Sequence, residues 1–308
     1  MSTVMKDTTL IIDSKFILYK LFYQRRPINE YFKYIIEEWD KIAPNKIPER
    51  VIFVVDSSYS LKQEKYPFYK DHRDENKKKS MKPKDYELLQ KYLQDYKKLD
   101  SILPYFGTVI HLKGYEADDL AYHTTKNLKE SKKCILFTSD QDWTKLLVKG
   151  KVTMFHIDRN KNITYDKVLE EYGYTVEEKK LLDVFAGSAK ENVSGVYKLG
   201  TKTFLKLKQL AEENGTSIYS EVLNALDKRT RGMKLPDDVG SLKELVDRNN
   251  YLLNFLEFES DEDKNEFFKQ LNSSKLNITK EELELKFINI FGKMYLLTEK
   301  EKIFYGIT

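Results

Sequence analysis

The stretch Val51-Ile52-Phe53-Val54-Val55-Asp56 decides the fold: an unbroken apolar run, β-branched or aromatic throughout, that ends without a spacer in an aspartate. A half-buried strand alternates apolar with polar residues, whereas a short continuous run reads as a strand covered on both faces, as in a parallel sheet. Thr9-Leu10-Ile11-Ile12, Thr108-Val109-Ile110, Ile135-Leu136-Phe137 and Val152-Thr153-Met154-Phe155 read the same way. Between these runs the apolar residues repeat at helical spacing. Tyr31, Ile35, Trp39 and Ile42 form one face, as do Leu89, Tyr92, Leu93, Tyr96, Leu99 and Leu103, and Leu120, Ala121, Thr124 and Leu128. Alternating strands and helices predict an α/β domain with a mostly parallel sheet and flanking helices.

After about Thr164 no further strand is expected. Segments near 166–186, 201–213, 216–227, 240–257, 261–271 and 280–291 have helical period, punctuated by Gly187, Gly195, Gly200, Gly215 and Gly240. The expectation is an α/β domain over 1–165 and an all-helical domain over 166–308. One segment fits neither pattern. Residues 62–84 carry nine basic residues against four acidic ones, with Tyr66, Phe68 and Tyr69 interleaved. Too polar for a core, this segment is expected to project from the first domain, at about 60–100, and to be mobile without a ligand.

Composition sets the outer limits. A chain of 308 residues suits two domains, and 41% hydrophobic residues exclude wholesale disorder. The 53 Lys and Arg nearly balance the 49 Asp and Glu, so the net charge of +4 identifies no partner. The single cysteine, Cys134, excludes an intramolecular disulfide, and its apolar run Cys134-Ile135-Leu136-Phe137 reads as a buried thiol. Four scattered histidines argue against zinc. No run approaches the ~18 apolar residues of a membrane span, and the N-terminus lacks a signal-peptide core. A cytoplasmic protein is expected.

The chemistry lies in the carboxylates. The first two strands end in Asp13 and Asp56, and a third is followed by Thr138-Ser139-Asp140-Gln141-Asp142. Ligands of open parallel sheets bind outside the carboxyl ends of the strands, so Asp13, Asp56 and Asp140 are expected at one edge. Gly114-Tyr115-Glu116-Ala117-Asp118-Asp119-Leu120 opens a helix just after the run at 108–110. Singly, each acid reads as a cap or turn residue. Together, Asp13, Asp56, Glu116, Asp118, Asp119 and Asp140 repel, at up to ~4 kcal/mol for a pair 4 Å apart at an effective dielectric of 20. Protonation or a bound cation must offset that repulsion, and oxygen-only ligands suit a hard ion such as Mg²⁺ or Mn²⁺.

These residues resemble the 5′-nuclease, or flap endonuclease, family, in particular the phage and bacterial 5′→3′ exonucleases and phage ribonuclease H. The matching pieces are Ile12-Asp13, Val55-Asp56, Tyr66-Pro67-Phe68-Tyr69-Lys70 with Arg73, Gly114 to Leu120, Thr138 to Asp142, and Ala186 to Val196 followed by Leu199-Gly200-Thr201-Lys202-Thr203. The resemblance implies a PIN-like nuclease domain and, at Val193 to Thr203, a helix–three-turn–helix element. It implies that Asp13, Asp56, Glu116 and Asp118 hold a first ion, that Asp119, Asp140, Asp142 and Glu191 lie at or beside a second, and that the two ions clamp the attacking and leaving oxygens of a phosphodiester displacement. Lys70 and Arg73 would steer the scissile phosphate, with Asp13 counted among the catalytic groups. Tyr69 would stack on an unpaired base, Lys62 would contact the strand, and the basic segment would be a helical arch. Gly195, Gly200 and Lys202, with Lys198, Lys206 and Lys208, would bind duplex through the turn, where a potassium ion is also implied.

Three departures stand out. Ser188 replaces an acid of the family's G-D-x-x-D-N pattern, Glu191 is one methylene longer than usual, and Lys190 brings a charge nearby; the second ion site is expected to be weak. Lys62 stands for an arginine and loses its bidentate fork. Lys198 stands where a glycine would permit φ > 0. The implied activity is metal-dependent removal of 5′ flaps, and of RNA primers from RNA/DNA hybrids, in replication or repair. The rivals are a flap-binding protein with weak or lost cleavage, and a Toprim-like nucleotidyl transferase, which leaves Asp13, Asp56 and the Asp118-Asp119 pair without a role. A monomer is expected, in a bacterial host if the chain is phage-encoded; no motif for a clamp or single-strand-binding partner is visible.

Overall fold

The structure, a computed structural model, describes residues 3–128, 132–292 and 295–307. Its main sheet has six strands: β1 (Thr3–Asp13), β2 (Lys46–Val54), β3 (Thr108–Ile110), β4 (Lys133–Thr138), β5 (Val152–His156) and β6 (Lys161–Ile163). Their spatial order is β3-β2-β1-β4-β5-β6. All neighbouring pairs from β3 to β5 are parallel, and β6 is antiparallel to β5. The expected parallel α/β architecture is therefore present. The apolar runs form its centre because both faces are covered: Leu10, Ile11 and Ile12 are fully buried, as are Ile52, Phe53 and Val54. Strand β6 was not expected. It lies at the sheet edge with Lys161 half-buried and Asn162 exposed, and only Ile163 is buried, so it carries no apolar run.

The strand order contains the feature that positions the site. The chain moves outward from β1 through β2 to β3 and then returns to lay β4 on the other side of β1. The crevice at such a switch point, outside the strand carboxyl ends, is where open α/β sheets bind ligands. Here it lies between the ends of β1 and β4.

The chain divides into two compact units. The first comprises Met1–Tyr59, Lys78–Tyr165 and Glu257–Thr308; the second comprises Ser60–Lys77 and Asp166–Leu256. Two expectations are corrected. Residues 257–308 do not belong to the helical unit: their helices Asp261–Leu271, Lys280–Phe291 and Glu299–Tyr305 join the α/β unit. Phe287 is fully buried with its ring against Phe32 and Phe106, and the Tyr305 hydroxyl donates to the Phe32 carbonyl at 3.1 Å. The segment at 60–77 is also no simple projection. It contributes Tyr69 to a small core with Val193 and Leu252 in the second unit. Beyond it, helices Arg73–Ser80 and Pro83–Leu99 form; the first has no buried residue, as its charge predicts.

Other helices follow the sequence closely. Segment 166–186 is two helices, Tyr165–Tyr172 and Val176–Ala186, separated at Gly173, whose φ of 76° is left-handed. Thr175 and Glu178 close a capping box that starts the second.

Phe287→Ala should lower the unfolding free energy of the α/β unit by about 3–5 kcal/mol, the usual cost of an aromatic-sized cavity. Urea denaturation followed at the buried Trp39 and Trp143 of that unit reads it out; a loss under 1 kcal/mol would contradict the packing of the C-terminal helices on this core.

Candidate active site

Asp13 ends β1 and caps the helix Ser14–Tyr23, its Oδ1 accepting from the Phe16 amide at 3.0 Å. Thr138, the last residue of β4, donates its hydroxyl to Asp13 Oδ2 at 3.2 Å and also accepts from the Asp140 amide at 3.1 Å. The two strands at the switch point are thus joined through their terminal polar side chains. Asp56 follows β2 and accepts from the Ala117 amide at 2.8 Å, at the N-terminus of the helix Ala117–Asn127. Glu116 is the cap of that helix, and its amide donates to Asp119 Oδ2 at 3.0 Å. Asp118, one position into the helix, accepts from the Trp143 indole at 2.6 Å. Asp140 caps the short 3₁₀ turn Gln141–Leu146 through the Asp142 amide.

The acids sense one another. Burial first, and then the charge of Asp56, push the Asp13 carboxyl from an ordinary 3.8 up to about 7; the Phe16 amide pulls in the other direction, and Asp140 adds a further upward push. Burial also raises Asp118 well above the usual carboxylate range, followed by the charges of Asp140, Asp13, Asp142 and Glu116. Desolvation and like charge both disfavour the ionised form. Six of the expected acids therefore act on one another: Asp13, Asp56, Glu116, Asp118, Asp140 and Asp142.

Among the described residues, no three His, Cys, Asp or Glu side chains form a ready-made metal cage. The carboxylates accept from protein donors: backbone amides for Asp13, Asp56, Asp119 and Asp140 and the indole for Asp118, with lysines beside Asp56 and Asp142. Lys15 lies 3.3 Å from Asp56, and buried Lys145 lies 3.3 Å from Asp142. The donor set, carboxylate oxygen only and mutually repelling, fits a hard divalent ion. Asp119 is the exception. It is fully buried and spends an oxygen closing the capping box, so in this structure it positions Glu116.

Lys15, Trp143 and Lys145 were missed in the sequence. Lysines read as solvated surface there; the usable signal was spacing, since Lys145 follows Asp142 by one helical turn and Trp143 directly follows S-D-Q-D.

The second unit holds the remaining expected residues. Glu191 is buried and sits among cations, with Arg73 Nη2 at 2.6 Å and Lys70 Nζ at 3.7 Å. Tyr69, expected as a stacking face, is buried instead, with the Lys70 ammonium 4.7 Å from its ring centre. Lys62, expected on nucleic acid, is likewise buried and donates to the Asn254 carbonyl at 3.1 Å. The strand pair Gly187–Ser188 and Val193–Ser194 leads into the turn ahead of the helix Thr201–Asn214. Gly195 is required there because a Cβ would collide with the Ala186 carbonyl and the Gly187 amide. Gly200 caps the helix with open space around it, and Lys202 lies exposed in its first turn. Lys198 has φ of 64°, so it adopts the left-handed conformation that a glycine would take without strain.

This turn borders a groove of about 730 Å³ lined by Phe68, Asn192, Ser194, Tyr197, Gly200 and Asp238, among others. Arg248 and Asn249, also missed in the sequence, hold residues of its lining. Arg248 pairs with Asp238 at 2.7 Å and donates to the Ser194 carbonyl at 2.9 Å, and the Asn249 amide donates to the carbonyls of Val184 and Ser194.

Residues 8–173 match the domain described as 5′-3′ exonuclease, N-terminal resolvase-like. The chain belongs to the 5′-3′ exonuclease family. A 5′-3′ exonuclease of Buchnera aphidicola subsp. Acyrthosiphon pisum (strain APS) is 30% identical over 163 residues, 52% of each chain, so the match spans about half the length of that relative. The 5′-3′ exonuclease of subsp. Schizaphis graminum (strain Sg) is 24% identical over 214 residues, 66% of this chain and 70% of that one. Among solved structures, the bacteriophage T5 flap endonuclease in a pseudo-enzyme–product complex with DNA and metal ions has a TM-score of 0.63 at 20% identity, covering 86% of this chain and 100% of that one. T5 5′-exonuclease with zinc bound has a TM-score of 0.60 at 20% identity, over 92% of this chain and 98% of that one. At such identities these structures show the fold alone. The family domain spans the carboxylate edge from Asp13 to Asp142, and the turn beyond residue 173 lies outside it.

Metal-free stability should carry the signature of Asp13. Between about pH 4 and 7 the folded chain keeps a proton that the unfolded chain has released, so stability falls as pH rises through that window and the full penalty remains above it. The shift from 3.8 to about 7 sets a ceiling of roughly 4 kcal/mol. Thermal melts in chelator at pH 5 and 8 should show this loss. Mg²⁺ should recover it at pH 8, and Asp13→Asn should reduce the slope while the buried Asp118 keeps its own share; an equal pH slope in the variant would contradict the assignment. Separately, Lys198→Gly should stabilise the second unit by about 1 kcal/mol by relieving the left-handed backbone, and a lower melting midpoint would show that the side chain matters more than the strain.

Proposed function

We propose that this chain is a divalent-metal-dependent, structure-specific 5′ nuclease that removes 5′ flaps from branched DNA, with RNA primers in hybrids as a further substrate. The observation that carries this reading is the group of mutually repelling carboxylates at the switch point between β1 and β4, in a chain belonging to the 5′-3′ exonuclease family. Asp13, Asp56, Glu116 and Asp118 would hold the first divalent ion, Mg²⁺ or Mn²⁺, and Asp140 and Asp142 the second. The ions would supply charge neutralisation at the scissile phosphate and an activated water.

The protein's own part is positioning. Thr138 and the Phe16 amide orient Asp13, Trp143 orients Asp118, and Asp119 fixes the cap that presents Glu116. The helix Ala117–Asn127 adds the positive end of its dipole to this edge. In the second unit, Lys70 and Arg73 are the candidate phosphate-steering cations, and the turn at 193–203 with its groove is the candidate duplex and potassium site. Tyr69 and Lys62 would take part only after leaving their buried positions. T5 flap endonuclease has been solved with DNA and metal ions, which supports branched DNA as the substrate class. No helix among the described residues is long and apolar enough to cross a membrane.

The binding-only reading draws on Ser188 and on the cations around Glu191, both of which bear on the second ion. It is the weaker one, because every acid implied for the first ion is present at the sheet edge.

Cleavage of a 5′-flap substrate, titrated with Mg²⁺ and Mn²⁺, tests the proposal. Asp140→Asn should slow cleavage about 10³-fold, some 4 kcal/mol of lost transition-state stabilisation, while DNA binding is kept or tightened because a carboxylate repelling phosphate is gone. Unchanged turnover in that variant would remove the metal role, and binding without any metal-dependent product in the wild type would favour the binding-only reading.

A further inference from the structure

Glu191 stands at the join between two segments far apart in sequence. Glu191 is 7% exposed, yet three cations lie against its carboxylate: Arg73 Nη2 donates to Oε1 at 2.6 Å, Lys190 Nζ is 3.7 Å from the same oxygen, and Lys70 Nζ is 3.7 Å from Oε2, which accepts no hydrogen bond among the described residues. The backbones are joined as well. The Lys70 amide donates to the Glu191 carbonyl at 3.0 Å, and the Asn192 side-chain amide donates to the Phe68 carbonyl at 2.9 Å and to Asp71 Oδ1 at 2.8 Å. Lys70 and Asn192, facing each other across this join, both hold left-handed backbone, at φ of 59° and 58°. Such strain persists only where surrounding contacts over-determine it.

We infer that Glu191 is a positioning residue, a latch that holds Lys70 and Arg73 at the base of the basic segment in the geometry that receives a phosphate, and that it does not ligate a metal ion. The inference deepens the proposed function and rests on its reading of Lys70 and Arg73 as phosphate-steering groups. The groups that Glu191 holds are cations, which suit a phosphodiester. Ligation through Oε1 would require displacing the Arg73 hydrogen bond. The sequence around it agrees, since Ser188 removes the neighbouring acid with which a ligating carboxylate would share an ion. Removing the charge of Glu191 while keeping its shape should therefore free the segment without loosening a metal.

The test uses the full-length chain and three readouts on Glu191→Gln, a near-isosteric change. Mn²⁺ titration followed by electron paramagnetic resonance should give the same number of bound ions, with Kd within twofold of wild type, while Asp142→Asn serves as a control for a lost ion. Tryptic cleavage at Lys77 to Lys79 should quicken at least fivefold. Single-turnover cleavage of a 5′-flap substrate should slow 10- to 100-fold with the half-saturating protein concentration within threefold, and Arg73→Ala combined with Glu191→Gln should be no slower than Arg73→Ala alone. A lost Mn²⁺ equivalent, an unchanged tryptic rate, or rate losses that multiply would each overturn the latch. A wild-type protein inert on flaps would instead overturn the nuclease reading, and the Mn²⁺ and trypsin results would still decide the latch.

Discussion

Repulsion among carboxylates gathered at the carboxyl edge of a parallel sheet is the constraint on which the rest of this structure depends. The strand order places Asp13 at the end of β1 and Asp140 just beyond β4, on either side of the switch point, and Thr138 ties them together. A fold selected for stability alone would keep such groups apart, because burial and like charge together drive Asp13 to about 7 and Asp118 well above its usual range. The surrounding structure offsets part of that cost with amide donors, an indole and two lysines. What remains is a standing demand for positive charge at this edge. Functional sites are where local stability is given up in this manner.

The second unit meets the complementary need. Its cations are not left loose on a solvated loop: Lys70 and Arg73 are held by Glu191, and Arg248 grips the turn at Ser194. The sorting is local: repelling acids meet at the sheet edge, while Lys70, Arg73 and Arg248 are each held at a defined place in the second unit. The near-neutral total of +4 says nothing of such local groups. An enzyme acting on a polyanion through bound cations needs both populations, each fixed before the substrate arrives.

The sheet and the acidic motifs were legible in the sequence because their causes are local. Continuous apolar runs mark strands buried on both faces, and an aspartate directly after such a run must emerge at the sheet edge. Lys198 was legible too: a residue standing where the turn calls for glycine is found at a positive φ. What the sequence hid depends on partners distant along the chain. Helical period gave the helices of 261–291 but not the core they join, since an apolar face carries no record of what covers it; Phe287 packs on Phe32 and Phe106. Tyr69 and Lys62 look solvated in a stretch so rich in lysine, yet tertiary contacts bury both. Glu191 aligned with a metal ligand, and only its neighbours in space reveal that cations surround it. Composition records charge, whereas function depends on where the opposite charge is placed.

The central claim is that the carboxylate group at the switch point is a divalent-cation site. Crystals of the wild-type protein soaked in Mn²⁺, with diffraction collected at the manganese absorption edge, test it most directly. The account predicts an anomalous peak coordinated by oxygens of Asp13, Asp56 and Asp118, with Lys15 withdrawn from Asp56. No peak at that edge at saturating Mn²⁺, or manganese bound only at Glu191, would contradict it.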